Sequence, residues 1–246
     1  MKDKAGRLFR QCFLTGVGGL LLSGCEPTAE DRVARAEEYL AAGDYRAAVL
    51  EARSALLDSP ANIDARLIFA DSSRRVGDYR TAAAEYSRAT ELGANPGRFA
   101  FEYAESLLVS GRADAVVSEL GDALMASPQS AQRLTVLGHA YAAVDEPQLA
   151  QKQYRAAIAL DGQVADAYVG LASLAERADD LNARDEWVRR AEAAVPDHPE
   201  LLLYFAQRER DAEARRKFLD RANANLNQSS SDITRAQVLL ARVENA

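Results

Sequence analysis

The sequence predicts an all-α protein, a solenoid of stacked helical hairpins with a C-terminal capping helix. The first observation is the turn Gly43-Asp44-Tyr45, which separates two apolar-periodic segments of helical length. The second is its period, because the turn glycine returns 34 residues later at Gly77 and again at Gly111. The third is the lack of an alternating pattern of strand length. A helix–turn–helix unit that returns at this interval is typical of a helical solenoid.

The residues after each turn keep the same count. In each unit, two positions seven residues apart hold mostly small residues, and one position between them mostly holds a large residue. In chain order these are Ala48, Ala82, Val116 and Ala150, then Ala55, Ala89, Ala123 and Ala157, with Ala52, Tyr86, Leu120, Tyr154 and Val188 between them. A small residue where two helices cross, and a large one in the adjacent hole, are what a stack of hairpins needs, so these residues carry packing rather than chemistry.

This pattern resembles the tetratricopeptide repeat (TPR), a family with this period, a Gly-Asp-Tyr-like turn, an Ala-rich second helix and a closing proline. The closing position holds Pro60, Pro128 and Pro196. A capping box at Thr28-Ala29-Glu30-Asp31 predicts the start of the first helix. The resemblance implies a right-handed superhelical solenoid of TPR hairpins over residues 29–227. The expected units are 29–62, 63–96, 97–130, 131–164, 165–198 and a shortened 199–227.

A linker and a C-terminal helix are expected within residues 228–246. A polar stretch over 223–231 reads as a loop, and Asp232 can then cap a helix over 233–243. Two interpretations stay open. This helix either covers the end of the stack or is the first helix of a further repeat.

The N-terminal residues have the pattern of a signal peptide. Four basic residues within 2–10 precede an apolar run over 12–22. Eleven helical residues at about 1.5 Å each cannot cross a hydrocarbon core of roughly 30 Å, which disfavours a permanent spanning helix. We therefore expect residues 1–24 to be removed.

The segment Leu22-Ser23-Gly24-Cys25 resembles the lipobox of bacterial lipoproteins. In that family the Cys thiol is acylated, and the signal peptide is then cleaved immediately before the Cys. Cys25 is then the single cysteine left in the mature chain, so no disulfide partner competes for it. The resemblance implies a lipid-anchored tether over 25–28 on the periplasmic side. An Asp directly after the lipidated Cys would favour the inner membrane. Glu26 occupies that position here, and this favours the outer membrane. The alternative is an ordinary secretory signal with a chance cysteine.

Composition argues against nucleic acid as a partner. Removal of residues 1–24 takes away four basic and one acidic side chain, which leaves a formal net charge of about −10. Binding to phosphates needs clustered positive charge, and an acidic chain lacks it.

Function in TPR solenoids generally lies on the concave surface, which the first helix of each hairpin lines. The family's groove positions, carried onto this sequence, select residues in four units. They are Asp71, Arg74, Arg75, Phe101, Glu105, Leu108, Thr135, His139, Ser173, Glu176 and Arg177. An apolar patch at Phe101 and Leu108 among charged residues suits an extended peptide or a partner helix. The alternative is a solvated inner face without a ligand.

The sequence offers no catalytic or metal-binding constellation. His139 and His198 have no second His, Cys or spaced carboxylate pair at a ligand interval, and no phosphate loop or nucleophile motif occurs. His198 lies in a connection between helices and is expected to be solvated. We therefore predict no enzyme activity, metal or cofactor. The opposing hypothesis, a glycan hydrolase, would need paired carboxylates across a cleft.

The lipobox together with residues 38–66 and 77–93 resembles the opening of the TPR lipoproteins that accompany exosortase (PEP-CTERM) systems in Gram-negative bacteria. This resemblance implies a role in exopolysaccharide export or surface-protein sorting. The resulting hypothesis is a non-catalytic, lipid-anchored periplasmic scaffold that binds a protein partner in the cell envelope. The alternative is a structural lipoprotein subunit of an outer-membrane assembly or of a pilus or secretin machine.

Overall fold

The structure, a computed structural model, describes residues 27–126, 130–226 and 232–244. Within these ranges it contains thirteen α-helices, one short 3-10 helix and no strand. Successive helices pack against each other in pairs, and each pair packs on the next. The predicted all-α solenoid is therefore confirmed.

The helices alternate between first and second members of a hairpin. The odd-numbered helices α1 to α11 are the first members and the even-numbered helices α2 to α12 the second. Their bounds are α1 Ala29–Ala41, α2 Tyr45–Asp58, α3 Ile63–Arg75, α4 Tyr79–Glu91, the 3-10 helix Pro96–Arg98, α5 Ala100–Val109, α6 Ala113–Met125, α7 Ala131–Ala143, α8 Pro147–Leu160, α9 Ala165–Arg177, α10 Leu181–Ala194, α11 Pro199–Arg208, α12 Ala212–Ala224 and α13 Asp232–Glu244.

The N-terminus of α1 has the predicted capping box. The Asp31 backbone N–H donates to Thr28 Oγ1 at 3.1 Å, and the Thr28 backbone N–H donates to Asp31 Oδ2 at 3.0 Å. The signal-peptide and Cys25 predictions fall outside the described residues. Of the helices described, none has the length and apolar character that a membrane crossing requires.

Five turns share one backbone conformation at a spacing of 34 residues. Gly43, Gly77 and Gly111 have φ of 78°, 87° and 75°, in the left-handed region. Asp145 and Asp179 replace glycine at the next two turns, with φ of 62° and 58°. The period therefore sets the turn geometry even where the residue changes, because Asp tolerates the left-handed region better than most side chains.

Tyr154 of α8 is wedged between the two neighbouring first helices. Its ring is 1% exposed and lies over the Cα atoms of Gly138 in α7 and Gly170 in α9. A Cβ added at Gly138 would meet the ring at 2.6 Å, and one added at Gly170 would meet it at 2.5 Å. Glycine is therefore needed at both positions for close approach, and the tyrosine fills the space that the missing side chains leave.

We expect Gly138→Ala and Gly170→Ala each to lower the free energy of unfolding by about 1–3 kcal/mol, since overpacking around a buried ring outweighs the better helix propensity of alanine. Gly121→Ala in α6 is the matched control, because a Cβ there meets nothing within 4 Å. It should be neutral or raise the free energy of unfolding by up to about 1 kcal/mol. Urea unfolding of the three variants measures the difference. Equal effects at all three positions would show that the ring does not constrain the helices.

Candidate functional site

A large concavity lies between the first helices from the third hairpin onwards. It is a cavity of about 640 Å³ bounded by α5, α7, the loop before α9, the starts of α9 and α11, and α13. We call it the groove cavity. Its apolar wall includes Phe101, Leu108, Val109 and Val136.

The structure divides the residues that the sequence selected for the concave face into three groups. Those that line the groove cavity are Phe101, Glu105, Leu108, Thr135 and His139. Those that line a second cavity of about 280 Å³, together with Tyr86 and Phe99, are Asp71, Arg74 and Arg75. Those on α9 that line neither cavity are Ser173, Glu176 and Arg177.

Arg74 joins the two cavities by ion pairs. Its Nη2 donates to Asp71 Oδ1 at 3.1 Å, and its Nη1 donates to Glu105 Oε2 of the next hairpin at 3.4 Å. Arg74 and Glu105 are each 7% exposed. Burial lowers the pKa of Arg74, but the neighbouring carboxylates raise it overall, so the guanidinium keeps its charge. The Glu105 carboxylate in the cavity wall is therefore neutralised from the preceding repeat.

His139 is held in place by Tyr154. Its Nδ1 lies 2.8 Å from the Tyr154 hydroxyl, and the two rings meet edge to face. Burial lowers the pKa of His139 to about 4, so the imidazole is neutral at pH 7. The residue that packs the hairpins thus also orients a side chain of the groove cavity. Thr135, one turn earlier, donates its hydroxyl to the Ala131 carbonyl at 2.8 Å.

Three of the remaining selected side chains, Arg75, Glu176 and Arg177, have structural partners. The Arg75 guanidinium lies 5.9 Å from the centre of the Tyr45 ring, and Arg177 Nη1 donates to the Ala142 carbonyl at 3.1 Å. Glu176 accepts from Arg208 Nε at 3.0 Å, and this hydrogen bond lowers the pKa of Glu176. These contacts tie neighbouring repeats together.

A polar cluster that was not predicted from the sequence lies at the other side of the groove cavity, formed by Asp166, His198, Glu200 and Thr234. His198 was expected to be solvated, and its side chain is 38% exposed, but it also takes part in this cluster. It is partly buried, and its Nδ1 pairs with Glu200, whose other oxygen accepts from the Thr234 hydroxyl. The connection before α11 therefore reaches the cavity through His198, while Pro196 and Asp197 are exposed.

A signal for this cluster was present in the sequence. Asp166, Glu200 and Thr234 follow one another at the repeat period of 34, and they lie near the starts of α9, α11 and α13. Stacked repeats place equivalent positions side by side, which brings these three side chains to one wall.

The surroundings of Asp166 shift its pKa strongly. Burial and the Glu200 charge raise the pKa of Asp166 to about 7, while the His198 charge lowers it. Over the described ranges, no group of three or more His, Cys, Asp or Glu residues is arranged to hold a metal ion.

Comparison with known proteins identifies the fold. No protein-family model matches the chain, and no curated protein matches it in sequence. Solved structures do match it. One is "YrrB: a TPR protein with an unusual peptide-binding site", at 16% identity and a TM-score of 0.64, over 74% of this chain and 93% of that one. This is the TPR fold.

Two further neighbours agree with the TPR fold. PilW, described as a widely conserved type IV pilus biogenesis factor, is 20% identical with a TM-score of 0.59, over 86% of this chain and 98% of that one. MamA is 15% identical with a TM-score of 0.60, over 68% of this chain and 91% of that one. The repeat resemblance seen in the sequence is thereby confirmed as a fold.

The lowered pKa of His139 makes stability depend on pH with a defined sign. A histidine in the unfolded chain has a pKa of about 6.5. The folded state resists protonation of His139. The stability that this residue contributes is therefore present above that pKa and is lost as pH falls from about 6.5 towards 4. When the pH falls from 7 to 5, we expect the free energy of unfolding of His139→Gln to decrease by about 1–2 kcal/mol less than that of the unsubstituted chain.

His198→Gln is the control of opposite sign. Burial lowers the pKa of His198, but the Glu200 carboxylate raises it overall, so His198 adds stability below pH 6.5 and loses it as pH rises. This variant should lose more stability on acidification than the unsubstituted chain does. Denaturant unfolding at both pH values measures the slopes, and a His139→Gln slope equal to that of the unsubstituted chain would contradict the prediction.

Proposed function

We propose that this protein is a non-catalytic TPR scaffold, anchored by lipid to the bacterial cell envelope, that binds a protein or peptide partner in its groove on the periplasmic side. The observation that carries this proposal is the groove cavity. It combines an apolar wall at Phe101 and Leu108 with convergent polar groups at Thr135 and His139. An apolar anchor site beside a few fixed polar groups suits an extended peptide or a partner helix.

The proposed contact surface is wider than the cavity. Glu105 completes the wall, and the side chains of α3 and α9 extend the surface along the first helices. These further residues are Asp71, Arg74, Arg75, Ser173, Glu176 and Arg177. Because several of them already bind a neighbouring repeat, we assign them to orientation of the partner rather than to its anchoring. The function needs no cofactor, metal or nucleic acid.

The anchoring half of the proposal rests on Cys25. Its lipobox context supports acylation, and the capping box at Thr28 starts α1 three residues later. Two or three acyl chains hold a protein stably at a bilayer, at about 0.8 kcal/mol per buried methylene, whereas one does not. So short a tether would keep the first hairpin next to the membrane. Glu26 supports the outer membrane as the location.

The pathway is the finer part of the proposal. The resemblance of residues 38–66 and 77–93 to exosortase-associated lipoproteins supports a role in exopolysaccharide export or surface-protein sorting. A second candidate is a structural lipoprotein subunit of an outer-membrane assembly or of a pilus or secretin machine. The likeness to the pilus biogenesis factor PilW, which extends over 86% of this chain, favours that candidate.

Photo-crosslinking in cells tests the groove. A crosslinking amino acid at Phe101 or His139 should capture one dominant envelope protein, because both positions line the groove cavity. The same amino acid at Leu57, which is 79% exposed on α2, is the control and should not capture it. Mass spectrometry identifies the product. A secretin or barrel subunit would select the second candidate, and the same products from all three positions would argue against a specific groove.

Cys25→Ser tests the anchor. We expect the unsubstituted chain to incorporate an alkyne-tagged fatty acid and to sediment with membranes. The variant should lose the label and remain in the soluble fraction, since serine lacks the thiol that is acylated. Click labelling and fractionation measure both effects. A membrane-bound Cys25→Ser chain, or an unlabelled soluble parent chain, would rule out lipid anchoring.

A further inference from the structure

Several acidic side chains line the groove cavity. The carboxylates that line it are Glu105, Asp161, Asp166 and Glu200, and neither lysine nor arginine is among the described residues that line it. A concave site with charge of one sign concentrates the field and selects ligands of the opposite charge.

Three of these carboxylates are already engaged. Glu105 binds Arg74, and Glu200 binds His198 and Thr234. Asp161 accepts from the Gln163 backbone N–H at 2.9 Å and is exposed.

Asp166 differs from the other three. It lies partly buried at the second position of α9, and among the described residues no hydrogen bond or ion pair is made by its side chain. Burial and the Glu200 charge raise the pKa of Asp166 to about 7, which shows how poorly the site supports an unpaired carboxylate. A desolvated carboxylate of this kind is stabilised by a cation that donates hydrogen bonds to it.

The cavity also has an apolar wall. Phe101 and Leu108 lie on α5, two hairpins before α9, and both border the same cavity. A ligand that fills the cavity therefore meets an acidic wall and an apolar wall. A short peptide with one basic side chain and apolar neighbours matches both.

We propose that the groove cavity binds a peptide through a basic side chain, lysine or arginine, whose cation pairs with Asp166 while adjacent apolar side chains pack on Phe101 and Leu108. The inference rests on the proposed groove function and deepens it by naming the chemistry of the ligand. Glu200 is a positioning residue here, since its own oxygens are held by His198 and Thr234.

The pairing predicts a pH dependence. The groups that face Asp166 are Glu200 from α11, His198 just before it, Glu105 from α5 and Tyr154 from α8, with His139 and Asp161 elsewhere around the cavity. A cation binds the ionised carboxylate, so affinity should rise about tenfold from pH 6 to pH 8, as the ionised fraction of a group with a pKa near 7 rises.

Binding of three matched peptides to the full-length purified protein tests the inference. The peptides are acetyl-Ala-Leu-Xaa-Leu-Ala-amide with lysine, norleucine or glutamate at Xaa. Isothermal titration calorimetry should show the lysine peptide binding at least tenfold more tightly than the norleucine peptide, and the glutamate peptide most weakly. Asp166→Asn should abolish this preference and the pH dependence, and a far-UV circular dichroism spectrum equal to that of the unsubstituted chain reports that the variant is folded.

Asp64→Asn is the matched control. Asp64 holds the same second position in α3, is exposed and does not line the cavity, so its loss should leave the lysine preference intact. Equal affinity for lysine and norleucine peptides, lowered by Phe101→Ala, would overturn the basic-ligand inference but keep the groove function. Absence of binding by all three peptides would overturn the inference and count against the groove function too. Free n-butylamine binding as tightly as the lysine peptide would overturn the peptide as the ligand.

Discussion

Close approach of helices at small residues is the constraint on which this solenoid depends. Tyr154 shows it most directly, because its ring occupies the space above Gly138 and Gly170 and joins three consecutive helices. Interiors packed at this density transmit any change in one side chain to its neighbours. The 34-residue period is thus a packing requirement, since each hairpin must offer the next one the same gap between helices and a side chain that fills it.

The groove inherits its geometry from that packing. First helices stacked at a constant interval bring equivalent positions into one row, and a row of polar residues becomes a polar wall. Asp166, Glu200 and Thr234 form such a row on α9, α11 and α13. Tyr154 belongs to both layers, as it packs between hairpins and holds His139 by a hydrogen bond. The same residue therefore supports both the packing of the hairpins and the candidate site.

The same stacking explains the place of α13. It packs against α11 and α12, and Thr234 lies one period after Glu200, so α13 stands where a further first helix would stand. Leu239 is 46% exposed on it. Leu137 and Leu171, which hold the matching position in α7 and α9, are buried. One helix thus completes the groove cavity while keeping part of its apolar face exposed.

Sequence by itself determined the helix class, the period and the turns, because these depend on local contacts and on spacing along the chain. The resemblance to the TPR family, applied in this register, selected Phe101 and His139, which line the groove cavity. Tertiary structure alone decided which charges meet. The pairing of Arg74 with Glu105, the contact of His198 with Glu200 and the desolvation of Asp166 join residues of different elements. The energy of a charge interaction depends on the distance between the two groups and on the local dielectric constant, and the stacking of the hairpins sets both.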